Sequence, residues 1–277
     1  MAFPRWAGFH GDVERQSSDV FARAVIAAAL LDVAELQGGE GAARWLAIAA
    51  REAEHVAGAR LGDRAGGWSY FPGLPELPPD LDSLAAAALL FARAAPQLLP
   101  LCEEPIRRAL DSAAADGSVK TWIVPPSSSP SQVRAMRRGI RRYWGDGADV
   151  EVCARFFRAL HRVAPQRHAA AVEKGTQWVV SQQRPSGTWG ATWYWGEVCG
   201  TALCLGLLRE VGEATCASDS LARAASLGVA SLYELQRDDG GWGVWESVPL
   251  DTAVALRELA LDDAAAHRAR ITRAVKL

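Results

Sequence analysis

Three turns of one design punctuate the chain: Gly66-Gly67-Trp68, Gly187-Thr188-Trp189 and Gly240-Gly241-Trp242. Each leads into a loop and then to an acidic residue that opens an Ala-rich helix, near Asp80, Glu197 and Asp251, with Asp19 and Asp149 in similar roles. Self-similarity over several tens of residues is a strong constraint, because each unit must bury its apolar stripe against its neighbours and the units then build one body. Apolar residues between the turns recur at helical spacing and no stretch sustains period-two alternation, so the chain is expected to be all-α. Helices are expected near 18–37, 41–57, 80–95, 103–115, 130–143, 147–163, 165–183, 196–211, 218–236, 249–261 and 263–275. The segments that are Ala-rich on most faces, such as Ser83–Ala94 and Gly200–Leu208, suit an inner ring packed on both sides. More charged ones, such as Ala43–Val56 and Gln166–Gln182, suit an outer ring.

Composition narrows the function. In 277 residues, 30 Lys and Arg stand against 32 Asp and Glu, a formal charge of −2. That balance argues against a nucleic-acid partner held by phosphate neutralisation. The N-terminal stretch MAFPRWAGFHGDVERQ does not read as a secretory signal, and the longest apolar runs, Ala24–Leu31 and Leu84–Ala92, are too short to span a bilayer. Five cysteines in a chain too large to need stapling fit a reducing cytoplasm. The five histidines are scattered, none at metal-ligand spacing with a cysteine, so no metal site is expected. Cys199 and Cys204 share an Ala-rich helix and read as buried small hydrophobes. Arg134, Arg137, Arg138, Arg141 and Arg142 follow the segment Pro125–Pro130 at helical spacing and read as a solvated face.

Two segments are more specific: Lys174-Gly175-x-x-Trp178-x-x-x-Gln182-x-x-x-x-Gly187-x-Trp189 and Leu227-Gly228-x-x-x-Leu232-x-x-x-Gln236-x-x-x-Gly240-x-Trp242. A glutamine at the end of an outer helix can hydrogen-bond free carbonyls there, and the tryptophan after the glycine turn can stack back and lock the hairpin. Both segments resemble the QW motif of the squalene–hopene and oxidosqualene cyclases. The resemblance extends to Gly66-Gly67-Trp68-Ser69-Tyr70 followed by Pro79-Asp80-Leu81-Asp82-Ser83-Leu84-Ala85, which is similar to the segment leading to that family's DxDD acid motif. It implies a single α/α barrel over residues 1–277, of about ten to twelve helices, matching only the catalytic barrel of the two-barrel cyclases.

In that family the middle Asp of DxDD is the general acid that protonates a terminal alkene or epoxide. The resemblance gives this role to Asp82, with Asp80 as the first acidic member and Ser83 in place of the last Asp. A crowded carboxyl pair in an apolar pocket retains a proton, which suits the chemistry. On the residues alone, Asp80 after two prolines also reads as a helix N-cap and Asp82 as a first-turn acid complementing the helix dipole. Tyr70 and Trp193 fall where the family places cavity aromatics that steer a carbocation, and Phe71, Trp195 and Trp245 are further candidates by position; each could equally pack the barrel. Arg155 occupies the position of a histidine that hydrogen-bonds the catalytic Asp in squalene–hopene cyclases. A guanidinium there would favour the Asp82 carboxylate, and pairing of Arg155 with Glu151 at i,i+4 is expected to leave Asp82 protonatable.

The expected function is therefore class II terpene cyclase chemistry, started by protonation, on an isoprenoid or prenylated small molecule, with no cofactor and no metal in the acid step. A homodimer or partner chain covering the open barrel face, and peripheral membrane contact, fit a barrel of this kind. Protein prenyltransferase β subunits share the fold but bind zinc through an Asp, Cys and His set that this chain does not offer. A barrel binding an apolar ligand or partner protein without catalysis is the other reading, and Arg155 set on Asp82 and turned away from Glu151 would favour it.

Overall fold

A computed structural model describes residues 18–62, 66–74, 77–124, 130–214 and 218–274. Among these, ten α-helices follow one another: α1 (Phe21–Gln37), α2 (Gly39–Gly58), α3 (Leu81–Ala94), α4 (Pro100–Asp111), α5 (Pro130–Tyr143), α6 (Val150–Val163), α7 (Pro165–Ser181), α8 (Val198–Ala214), α9 (Asp219–Glu234) and α10 (Pro249–Ala274). A short 3-10 turn, Pro96–Leu98, joins α3 to α4, and no strand forms among the described residues. The expected helices at 249–261 and 263–275 are one helix, because no glycine or proline interrupts the pattern between them.

Helices α1, α3, α6, α8 and α10 pack side by side as the inner layer, while α2, α7 and α9 lie outside on α1, α6 and α8. This is the α/α toroid. The α3 core explains the placement: Leu81, Leu84, Ala85, Ala86, Ala87, Ala88, Leu90 and Phe91 are all buried, so the helix is apolar around its circumference. In α7 only Val172, Gly175, Thr176 and Val179 are buried, a single stripe suited to an outer position. The inner helices run parallel. Cys199 at the start of α8 donates to Asp251 at the start of α10, and at the opposite end Arg158 and Arg162 of α6 meet Glu210 of α8.

The turns do the same work in each hairpin. Trp68, Trp189 and Trp242 are fully buried, and their indole N–H groups donate to the carbonyls of Val56 at 2.6 Å, Val179 at 2.7 Å and Leu232 at 2.7 Å, near the ends of the preceding outer helices. The motif glutamine of the first segment is Gln183 and not Gln182. Gln183 Nε2 donates to Gly187 O and Ala224 O, both at 2.8 Å, as Gln236 Nε2 does to Gly240 O, whereas among the described residues the Gln182 side chain bonds only the exposed Ser181 hydroxyl. The second segment's Gln-x-x-x-Gly spacing carries this signal, since Gln183 and Gly187 repeat it. A fourth turn of the same backbone pattern spans Ala114–Val119, with Val119 in the tryptophan position.

Candidate active site

Asp80 and Asp82 head inner helix α3. Asp80 is its N-cap, with Oδ1 accepting from Ser83 N at 2.7 Å, and Oδ2 from Tyr70 N at 2.8 Å and Ser83 Oγ at 3.0 Å. The Tyr70 bond fastens the loop 68–70 to the helix and the Ser83 bonds close the cap, so the Ser83 hydroxyl serves Asp80, not Asp82. Burial pushes the Asp80 carboxyl up to about 7 although the Ser83 and Tyr70 donors pull the other way.

Asp82 has a different partner. Its Oδ1 accepts from Arg155 Nη1 at 2.7 Å, with both side chains largely withdrawn from solvent at 14% and 12% exposure. The second Arg155 nitrogen, Nη2, donates to the Tyr194 hydroxyl at 3.2 Å, and the guanidinium carbon lies 4.9 Å from the Phe21 ring centroid. Burial drives the Asp82 carboxyl upward, while the charge and hydrogen bond of Arg155 pull it down; burial wins, and the group stands above the ordinary carboxylate range.

The expected Arg155–Glu151 pair does not form. Glu151 Oε1 instead accepts the backbone N–H groups of Thr192 at 2.7 Å and Trp193 at 3.0 Å, which the inward turn of the 190–196 loop brings over α6. Burial pushes Glu151 up to about 7 against these donors, and the two amides occupy the oxygen that a pair with Arg155 would need.

Around this centre the aromatics fall into two groups. The Tyr70 ring packs between Phe21 at 5.7 Å and Phe71 at 4.9 Å, on the Arg155 side. Trp193 stacks on Trp144 at 6.3 Å, meets the edge of Trp122 at 5.6 Å, and donates its indole N–H to Asp149 Oδ2 at 2.9 Å. Trp195 and Trp245 lie apart from Asp82, paired with each other at 5.3 Å and 74% and 73% exposed. Tyr194 and Phe21 are site residues that sequence reasoning does not single out. The run Thr192-Trp193-Tyr194-Trp195 carries a signal for Tyr194, whereas nothing local marks Phe21.

An all-α toroid of inner and outer helices is the fold of the solved type II terpene cyclases. Known proteins agree: residues 144–275 match the squalene-hopene cyclase C-terminal domain. Copalyl diphosphate synthase from Streptomyces anulatus is 32% identical over 103 residues, 37% of this chain and 18% of that one. Drimenyl diphosphate synthase from Streptomyces showdoensis is 28% identical over 200 residues, 70% of this chain and 33% of that one. These matches take in at most a third of the curated relatives' own lengths. Among solved structures, the apo type II terpene cyclase MstE from Scytonema superposes with a TM-score of 0.65 at 18% identity, covering 97% of this chain and 71% of that one. A protein from Actinoplanes gives a TM-score of 0.67 at 21% identity, covering 93% and 70%. Over residues 144–275 the chain is thus similar to the squalene-hopene cyclase C-terminal domain, and its fold is that of the solved type II terpene cyclases.

Proposed function

We propose that this chain is the acid-bearing barrel of a class II terpene cyclase, and that Asp82 starts cationic cyclisation of an isoprenoid. The Asp82 O–H bond breaks as a new C–H bond forms at a terminal alkene, or an O–H bond at an epoxide. The carbocation then sits on the substrate and the negative charge on Asp82. Arg155 and Tyr194 face that charge, so the conjugate base is stabilised as it forms. Asp80 and Ser83 hold the helix start; Tyr194 and Phe21 lie against Arg155, and Tyr70, packed between Phe21 and Phe71, and Trp193 are further aromatic faces suited to steering the cation. Relatives are named for diphosphate products, and MstE has been seen with geranylgeranyl dihydroxybenzoate, so the substrate class is an isoprenoid diphosphate or a prenylated aromatic.

The observation that carries this reading is the position of Asp82 at the head of inner helix α3, buried beside Asp80 and faced by Arg155 and Tyr194, where burial works against the pull of Arg155 and raises the carboxyl. The Asp82–Arg155 contact itself favours a second reading, a barrel that binds an apolar ligand and does not protonate it. Mass-spectrometric product analysis with farnesyl, geranylgeranyl and aromatic-prenyl substrates separates the two. Cyclised product from the parent chain, lost in Asp82→Asn with ligand binding retained, is expected. Full turnover by Asp82→Asn would remove the acid role. Ligand binding without cyclisation, in the parent and in Arg155→His alike, would establish the second reading.

A further inference from the structure

Glu151 lies on α6 one turn before Arg155 and is 1% exposed, a costly position for a carboxyl group. Its Oε1 takes two backbone N–H groups, those of Thr192 and Trp193, from a segment about forty residues away. Its Oε2 is buried without a partner among the described residues. The next residue along that segment is Tyr194, whose hydroxyl accepts from Arg155 Nη2. A second acid of the α6 N-terminus, Asp149, holds the same segment by the Trp193 indole N–H and is itself bonded by Thr121 Oγ1 at 2.6 Å. The two acids therefore pin the 192–194 segment from backbone and side chain together.

The consequence lies in how Arg155 is shared. A guanidinium and a carboxylate left to themselves favour a fork of two parallel bonds. Here Tyr194 draws Nη2 away, so that the contact to Asp82 runs from Nη1 to Oδ1. We propose that Glu151 is a positioning residue which, by fixing the Thr192 and Trp193 amides, holds Tyr194 on Arg155 and keeps Arg155 from closing on both oxygens of Asp82. The geometric part stands on the contacts above; its consequence for proton transfer rests on the proposed role of Asp82. The charged and titratable groups facing these two carboxyls are Asp149, Cys153 and Cys204 around Glu151, and Arg155, Tyr194, Asp149 and Asp80 around Asp82.

The test is a double-mutant cycle on the full chain, read first by urea midpoint so that it needs no substrate. Tyr194→Phe is expected to shift the midpoint in the parent, and by less than about half as much in a Glu151→Ala background. Glu151→Gln, which keeps one oxygen for the two amides, is expected to restore the parent's response. Equal shifts in all three backgrounds would overturn the proposal. A crystal structure of Tyr194→Phe is expected to show Arg155 forked onto Asp82, and an unmoved Arg155 would overturn it even if Glu151→Ala does not fold. Where cyclisation is measured, the rate requires protonated Asp82 and falls as pH rises. Tyr194 also hydrogen-bonds Asp82 and lowers it, so Tyr194→Phe and Glu151→Ala should both displace this alkaline limb, in the same direction, with return in Glu151→Gln and KM unchanged. An unmoved limb beside a positive cycle would cut the link to Asp82. No cyclisation by the parent would count against the acid role, while a positive cycle would still support the positioning role of Glu151.

Discussion

Asp80 and Asp82 stand one residue apart at a helix start and meet opposite surroundings. Asp80 receives three uncharged donors and serves as a clasp, while Asp82 meets one cation and a phenol. The same contrast separates Gln182 from Gln183. Gln183 bridges the carbonyls of Gly187 and Ala224, tying the turn after α7 to α9, so Gln183→Ala should lower stability by about 1–2 kcal/mol in urea unfolding. Gln182→Ala should stay within about 0.5 kcal/mol, since its amide reaches only a surface hydroxyl. A larger effect at Gln182 would reverse the motif assignment. Residue patterns announce the acids because the Pro-Pro-Asp-Leu-Asp run is local. They misplace Arg155, because i,i+4 spacing makes Glu151 available but cannot reveal an Asp82 contact 73 residues away or loop amides 41 and 42 residues away that already occupy Glu151.

At the scale of elements, the turn is the repeating device and glycine makes it possible. Gly117, Gly187 and Gly240 have φ of +94°, +85° and +96°, a region where side chains are strained. Close approach adds to this: a Cβ on Gly117 would stand 2.7 Å from the Lys174 carbonyl oxygen, and one on Gly187 2.6 Å from that of Leu227. Gly117→Ala should therefore destabilise by about 1–3 kcal/mol. Gly139, inside α5 with nothing within 4 Å of its Cβ position, should respond the other way. Gly139→Ala should raise stability by up to about 1 kcal/mol through helix propensity. Melting curves of the two variants check both signs. The helices are legible in the sequence because their periodicity is local, and three of the turns because tryptophan marks them. The fourth is hidden, since Val119 keeps the backbone pattern of the turn without the residue that advertises it. The break expected between 261 and 263 does not form, since no glycine or proline there removes a backbone donor or forces a turn, and α10 runs through.

Across the whole molecule, parallel inner helices give the toroid two unlike ends. Helix N-termini gather at one end with Asp80, Asp82 and Glu151, where the partial positive charge of the backbone favours acids. At the other end basic and acidic side chains link neighbouring inner helices: Arg93 with Asp32, Arg158 and Arg162 with Glu210, and Arg209 with Glu258. Arg257 reaches from α10 to Asp32 of α1 at 3.9 Å, tying the last inner helix to the first. The two ends titrate in opposite directions. Burial raises Asp80 and Glu151 to about 7, so between about 4 and about 7 the folded chain holds more protons than the unfolded one and stability falls as pH rises. Burial also works to raise Glu210, but hydrogen bonds and charge from Arg162 and Arg158 outweigh it and leave the group below its ordinary value. Its contribution is present above the unfolded carboxyl pKa and is lost as pH falls through the lower, folded one. Stability should therefore peak in acidic solution, near about pH 4, where the gain from Glu210 ends and the loss from Asp80 and Glu151 begins, and decline on both sides. Urea midpoints from about pH 3 to about pH 8 check this, and Glu151→Gln should flatten the alkaline decline while leaving the acid one in place. A midpoint that rises steadily across that whole range would mean that Asp80 and Glu151 keep ordinary pKa values despite their burial at the helix N-termini.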